Sequence, residues 1–477
     1  MNRPIIRLFG LVVLLFALLL AFTSRWTIFE AASLRNNSLN KRAVLEQQHI
    51  DRGPIVAADG TVLAHSLRRA EGIYERSYPT GSLFANTVGY YFTNLGSTGI
   101  EKFRSSELNG QTDTGVQSIL DQLQGRKPRG QKVVTSLDPK AQRVAVQALG
   151  EHQGAVVALE PRSGAVTVMA SSPSYNPNSL KSNAAYARLA RDSSSPLINR
   201  ATQFGYAPGS TFKVVTATAA IDSGKFTPQS TVSGRNDIVI SGVPLQNDEN
   251  ESLGQITLTE ALAKSVNTVW AQVGERVGRA TMTRYMNRFG FDRKPKLDYP
   301  ATEMSTSGSY EGNRLVSPLS PKVDLGRMSI GQDKLAVVPL QMAEVAAAVA
   351  NSGRLMTPHL ASRVVNSEGQ TVTRIKPSVQ SVVMKSSTAA QVRSMMEAVV
   401  NVGTGTSAQI PGVQVAGKTG TAETQIGTAI NNVWFIAFAP AANPKVAIAV
   451  TLKAVPGQGA AFAAPIARQV MEQLLRD

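Results

Sequence analysis

The chain opens on an apolar, uncharged run from Leu8 to Phe22, preceded by Arg3 and Arg7 and followed by Arg25 and Trp26. Ile5, Ile6, Thr23 and Ser24 extend it towards the roughly 20 residues that cross a bilayer, and Trp26 can end it at the interface. A cleaved signal peptide would carry a similar run. Thr23-Ser24-Arg25-Trp26 lacks the small-x-small cleavage pattern, however, which favours a retained anchor. Arginines at the N-terminus place the remainder of the chain outside the cytoplasm by the positive-inside rule.

Beyond the anchor the pattern alternates between strand and helix periods. In AVLEQQHIDRGPIVAADGTVLA, from Ala43 to Ala64, Asp59-Gly60 sits between two β-type runs and predicts a tight hairpin. Ser105 to Arg129 is polar and Gly/Gln-rich and reads as a linker, which puts a domain boundary near Gln131. Asp138 can cap a helix through Ala141, Val144, Ala145 and Leu149, with Gly150 near its end. Gly154–Leu159 and Ala165–Ala170 are apolar β runs around Pro161-Arg162-Ser163-Gly164, a hairpin in a largely buried sheet. Val413–Glu423, Val433–Ala439 and Val446–Leu452 repeat the strand theme and predict antiparallel pairing. Between these groups, Ser210 to Ala350 reads as helices and polar loops, and Pro465–Leu475 as a closing helix that packs on the sheet. The layout is α+β.

Composition narrows the chemistry. The 477 residues suggest two or three domains, and 43% hydrophobic with 17% charged residues is globular. A net charge of +16 attracts polyanions, but aromatic content is 6% and no basic tract interleaves with Tyr or Phe. Lipid head groups and wall polymers therefore fit better than nucleic acid. Without cysteine there is no disulfide, thiolate nucleophile or cysteine metal site. His49, His65, His152 and His359 are scattered without ligand spacing, so no metal is expected and a catalytic base has to be something else.

Three short patterns carry the candidate chemistry. In GYAPGSTFKVVTATAAIDSG, Pro208-Gly209 breaks the chain and Ser210 opens a segment predicted helical up to Gly224. Phe212, Val214, Val215, Ala217, Ala219 and Ile221 leave that helix almost no polar face, so Lys213 enters the interior on the same face as Ser210. Burial and neighbouring positive charge lower a lysine pKa, which makes Lys213 a credible base for Ser210. Ser38-Leu39-Asn40-Lys41 has the same spacing in a polar stretch expected to be solvated, so spacing alone says little. Ser265-Val266-Asn267 follows a capping box, Thr257 to Glu260, but Ser-x-Asn recurs at Ser38 and Ser174, and a turn is the plain alternative. Lys418-Thr419-Gly420-Thr421 lies in the strand run VQVAGKTGTAE and occurs once. Such a strand can hold a peptide by β-augmentation while the cation receives a carboxylate; otherwise it is an edge strand guarded by a lysine.

Ser-x-x-Lys, Ser-x-Asn and Lys-Thr-Gly in this order are the motif set of β-lactamases and penicillin-binding proteins. With RGPIVAADGTVLA, RSYPTG through GSTGIEK, GAVVALEPRSGAVTVMASSPSYNP, PGSTFK, KSVN, SIGQDKLAVVPLQMA, GKTGTAE and NVWFIAFAP, the sequence resembles a class B penicillin-binding protein over nearly its whole length. Its short membrane-proximal part is similar to the actinobacterial penicillin-binding protein A type. The resemblance implies a transpeptidase-like domain, with a five-stranded antiparallel sheet flanked by helices and an all-helical subdomain, over residues 132–477. A β-rich pedestal over 25–131 and an anchor over 1–24 would precede it.

The resemblance also implies a D,D-transpeptidase without cofactor, acting on peptidoglycan stem peptides and blocked by β-lactams, in wall synthesis, cell shape and division. A D,D-carboxypeptidase, or a non-catalytic scaffold or β-lactam sensor, are the alternatives. Ser210 would be acylated, Lys213 would take its proton and Ser265 would relay a proton to the leaving D-alanine. Asn267 would hold the donor amide, Lys418 and Thr419 the carboxylate. Gly420 lies between the binding residues, and the N–H groups of Ser210 and Thr421 would form the oxyanion hole. Val266 replaces the Asp of Ser-Asp-Asn, and no Glu-x-x-Asn stands between Asn267 and Lys418 to place a deacylating water. Too little chain precedes Gln131 for a glycosyltransferase, which implies a separate membrane glycosyltransferase of the shape/elongation/division/sporulation family as partner.

Overall fold

The computed structural model describes residues 3–25, 48–111, 129–180, 182–423 and 430–476. Trp26, Ser38–Lys41 and most of the proposed linker lie outside the described residues. Two compact units emerge, one of Met1–Asp51 with Leu67–Glu75 and the other of Arg52–Ser66 with Arg76–Asp477. In the first, helix α1 (Arg3–Ser24) has no buried side chain. Its 22 residues rise about 33 Å, enough to cross a hydrocarbon core of about 30 Å. Thr23 Oγ1 donates to Leu19 O at 2.7 Å, so its hydroxyl is satisfied within the helix.

The second unit begins with the hairpin read from Asp59-Gly60. Strand β1 (Ile55–Val56) pairs antiparallel with β2 (Val62–Arg68). Gly60 takes φ +89°, and Thr61 N donates to Asp59 Oδ1 at 2.9 Å. Strand β3 (Lys132–Thr135) runs parallel to β1. Asp138 then caps helix α2 (Pro139–Leu149) by accepting from Lys140 N and Ala141 N, and Gly150 closes it. Strands β4 (Gly154–Leu159) and β5 (Val166–Ser172) form the buried hairpin. Further on come helices α3 (Lys213–Asp222), α4 (Leu258–Ala263), α5 (Asn267–Val277) and α6 (Pro339–Ala350), strands β6 (Ala361–Val365) and β7 (Thr371–Arg374), and helix α7 (Ser386–Asn401). Strands β8 (Ala416–Glu423), β9 (Ile430–Ala439) and β10 (Val446–Pro456) and helix α8 (Ala463–Arg476) complete the unit.

A five-stranded antiparallel sheet in the order β8-β9-β10-β4-β5 is the centre of the fold. Helices α2 and α8 cover one face and α6 the other. The Lys-Thr-Gly strand, β8, lies at one edge of this sheet, packed against the Gly209–Phe212 turn. A second, six-stranded sheet has β7, β6, β3, β1 and β2 side by side in that order, so strands on both sides of residue 131 share it. Between Ser210 and Ala350, read from the sequence as helices and polar loops, short hairpins such as Ile238–Ile240 with Val243–Leu245 stand among the helices. These strands are three residues long, too short for period-2 alternation to register.

A buried ion cluster stiffens the part before residue 131. Arg52 Nε lies 2.7 Å from Glu101 Oε2, and Arg76 Nε lies 2.6 Å from Oε1 of the same carboxylate. Arg52 also donates to Asn109 Oδ1 at 2.7 Å and stacks on the Tyr91 ring. Burial pushes the Glu101 carboxyl up, but Arg76 and Arg52 overcome it and hold the group below its ordinary value. This contribution is full above the ordinary carboxyl range and is lost as pH falls through the depressed pKa. Glu101→Gln leaves two buried guanidiniums against a neutral amide and should cost about 3–5 kcal/mol by urea unfolding near neutral pH.

Helix α6 carries the opposite case. It is buried along its length, and Glu344 within it is pushed by burial up to about 8, with Oε1 lacking a hydrogen-bond partner among the described residues. The folded chain therefore keeps a proton that the unfolded chain releases near 4.5. Stability from this proton is full below the unfolded pKa and is lost as pH rises to about 8. Glu344→Gln should flatten the fall of the denaturant midpoint across that interval; an unchanged slope would mean that the carboxyl is already ionised in the fold.

Candidate active site

Gly209–Phe212 forms a 3₁₀ turn that feeds α3, so Ser210 lies one turn ahead of the α-helix proper, which starts at Lys213 and ends at Asp222. Apolar periodicity does not separate 3₁₀ from α winding, hence the longer helix expected from the sequence. The turn is wound tight by neighbouring backbone. Gly209, at φ +52°, donates to Gly331 O at 2.9 Å. A Cβ on Gly209 would come within 2.4 Å of Thr421 O, and one on Gly331 within 1.9 Å of Gly209 O. Only glycine fits at either place, and the backbones bearing Ser210 and Thr421 are thereby held side by side.

Lys213 is buried, as the apolar helix predicted. Its Nζ lies 2.8 Å from Ser210 Oγ, 2.7 Å from Ser265 O, 2.7 Å from Asn267 Oδ1 and 3.3 Å from Ser265 Oγ. Ser265 stands in the break between α4, which starts in the predicted Thr257–Glu260 capping box, and α5. Its φ of +62° is uncommon for a residue with a Cβ, and it turns carbonyl and hydroxyl towards the same amine. From the edge strand, Lys418 Nζ reaches Ser265 Oγ at 2.9 Å and Thr419 O at 3.0 Å. Ser265 Oγ is thus a bridge between two amines. Gly420 is pressed against the turn, since a Cβ there would sit 2.7 Å from Pro208 O. Trp434 on β9 donates from Nε1 to Ala207 O at 2.9 Å, fixing the approach to the turn from below.

Protonation follows from this geometry. Burial, then the charge of Lys418, hold Lys213 well below its ordinary range, against a smaller opposing pull from Asp248. Burial lowers Lys418 to about 7, again opposed by Asp248. A neutral Lys213 has two N–H bonds and one lone pair. Ser265 O and Asn267 Oδ1 can only accept, so they take the two N–H bonds, and the lone pair is left facing the Ser210 hydroxyl. The arrangement can remove a proton from Ser210 and pass one through Ser265. Among the described residues no group of three His, Asp or Glu is placed to hold a metal ion.

Residues 154–472 match the family model of the penicillin-binding protein transpeptidase domain, and 52–133 that of the penicillin-binding protein A dimerisation domain. Over the whole of both chains the sequence is 35% identical to the peptidoglycan D,D-transpeptidase PbpA of Mycolicibacterium smegmatis. This chain belongs to the penicillin-binding protein transpeptidases. Within them it is a class B protein of the penicillin-binding protein A type. Penicillin-binding protein A of Mycobacterium tuberculosis, solved as a ceftriaxone acyl-enzyme, is 34% identical with a TM-score of 0.82, covering 91% of this chain and all of that one. Its penicillin G acyl-enzyme gives 34% and 0.80, with 89% of this chain and all of that one covered.

All eight site residues expected from the sequence of this penicillin-binding protein converge: Ser210, Lys213, Ser265, Asn267, Lys418, Thr419, Gly420 and Thr421. Others were not foreseen. Asn267 Nδ2 donates to Gln246 O at 3.1 Å, and Asn247 Oδ1 accepts from Thr268 N at 2.9 Å, which fixes the 246–247 loop against the start of α5. The next residue, Asp248, is the carboxylate felt by both active-site lysines. In sequence it is one acid in the polar run Asn247–Glu251 and carries no distinguishing signal.

Proposed function

We propose that Ser210 is the nucleophile of a peptidoglycan D,D-transpeptidase that resolves its acyl-enzyme with an amine. Lys213 takes the hydroxyl proton as Ser210 Oγ attacks the carbonyl of the penultimate D-alanine. The N–H groups of Ser210 and Thr421 receive the oxyanion. The peptide C–N bond then breaks, and the terminal D-alanine leaves as an amine protonated from Lys213 through Ser265. An amine of a neighbouring stem peptide enters by the reverse path and loses its proton to Lys213, which returns it to Ser210 Oγ as the new amide forms and the ester C–O bond breaks. Asn267 holds the donor amide, and Lys418 with Thr419 meets the terminal carboxylate.

The observation that carries this reading is the Lys213 amine, 2.8 Å from Ser210 Oγ and 2.7 Å from both Ser265 O and Asn267 Oδ1, two oxygens that can only accept. A β-lactam takes the donor's place and stays attached, because no Glu-x-x-Asn lies between Asn267 and Lys418 to position a water. Intact mass spectrometry after penicillin treatment should give a single adduct that maps to the Ser210 peptide. Donor and acceptor peptides together should give a cross-linked product, and release of D-alanine without one would make the protein a carboxypeptidase.

The division into an anchor over 1–24, a pedestal over 25–131 and a catalytic domain over 132–477 belongs to the same proposal. So does an extracytoplasmic catalytic domain, from Arg3 and Arg7 in the first turns of α1. A separate membrane glycosyltransferase is the proposed partner.

A further inference from the structure

Thr404 lies outside the three motifs, in the turn between α7 and β8. Its Oγ1 is 2.6 Å from Thr419 Oγ1. Two hydroxyls at that distance share one proton along the line between them, and which side donates decides what Thr419 offers the cleft. Thr419 Oγ1 already faces Lys418 Nζ at 3.4 Å as an acceptor. If Thr404 donates, the second lone pair of Thr419 is used as well, and one direction is left for the Thr419 proton. If Thr419 donates instead, only lone pairs face an incoming anion.

The turn is also fixed to the opposite side of the cleft. Thr404 N donates to Ala263 O at 3.0 Å, and a Cβ on Gly403 would come within 2.3 Å of the same oxygen. Ala263 ends α4, two residues before Ser265. The position of the Thr404 hydroxyl is therefore referenced to the Ser265 wall, while its partner belongs to the Lys-Thr-Gly wall.

We propose that Thr404 is a positioning residue that donates its hydroxyl proton to Thr419 and so frees the Thr419 proton for the donor's carboxylate. This rests on the reading of Thr419 given above. The test is acylation of the full-length protein in detergent by benzylpenicillin and by its methyl ester, which lacks the anion. With benzylpenicillin, Thr404→Val should lower the second-order constant about tenfold, mostly in the binding step, and Thr404→Ser should restore it. With the ester, wild type and Thr404→Val should react alike. Equal slowing towards both compounds, or no slowing towards either, overturns the proposal. Should Thr404→Val melt early, Thr404→Ala makes the same comparison. Failure of wild type to form any Ser210 adduct would instead overturn the nucleophile assignment, and this proposal with it.

Discussion

In Lys213→Met, acylation by penicillin should fall at least about a thousandfold while the melting temperature barely moves. Methionine is close to lysine in length and apolar, so the buried wall of α3 keeps its filling. Removing the amine leaves Ser265 O and Asn267 Oδ1 without their donor, at about 1–3 kcal/mol each. Against this stands relief from holding an amine away from water, the larger of the two causes that depress Lys213. The offset separates function from stability. Stopped-flow acylation and circular-dichroism melting on the same preparation would check both, and a rate within tenfold of wild type would remove Lys213 from the base role.

Lys418→Met should lower acylation about a hundredfold and change the shape of its pH profile. In the wild type the rate should rise with pH as Lys213 becomes neutral, then fall as Lys418, lowered by burial to about 7, loses the charge proposed to attract a carboxylate. The charge of Lys418 helps to depress Lys213, so removing it raises the Lys213 pKa. The acid limb of the variant should therefore move to higher pH, and its alkaline limb should disappear. A profile of unchanged shape would mean that the two amines do not sense each other.

How much of this was legible depends on the range over which each feature is encoded. The Asp138 cap, the Thr257–Glu260 capping box and the hairpins at Asp59-Gly60 and Pro161–Gly164 are local, and each is where its residues predicted. Burial of Lys213 followed from the apolar helix around it. The pairing of β6 with β3 joins segments more than two hundred residues apart, and nothing in either strand names the other. Thr404 and Asp248 went unread for a related reason. A threonine ahead of a strand and an acid in a polar loop look ordinary until the fold sets a second hydroxyl beside the one and brings the other within electrostatic reach of two buried amines.

The tight seat of Gly209 against Gly331 and Thr421 bears on how this enzyme can escape its inhibitors. Any side chain at those two glycines displaces the main chain next to Ser210 and Thr421, so a resistance substitution there should also slow the enzyme's own acylation.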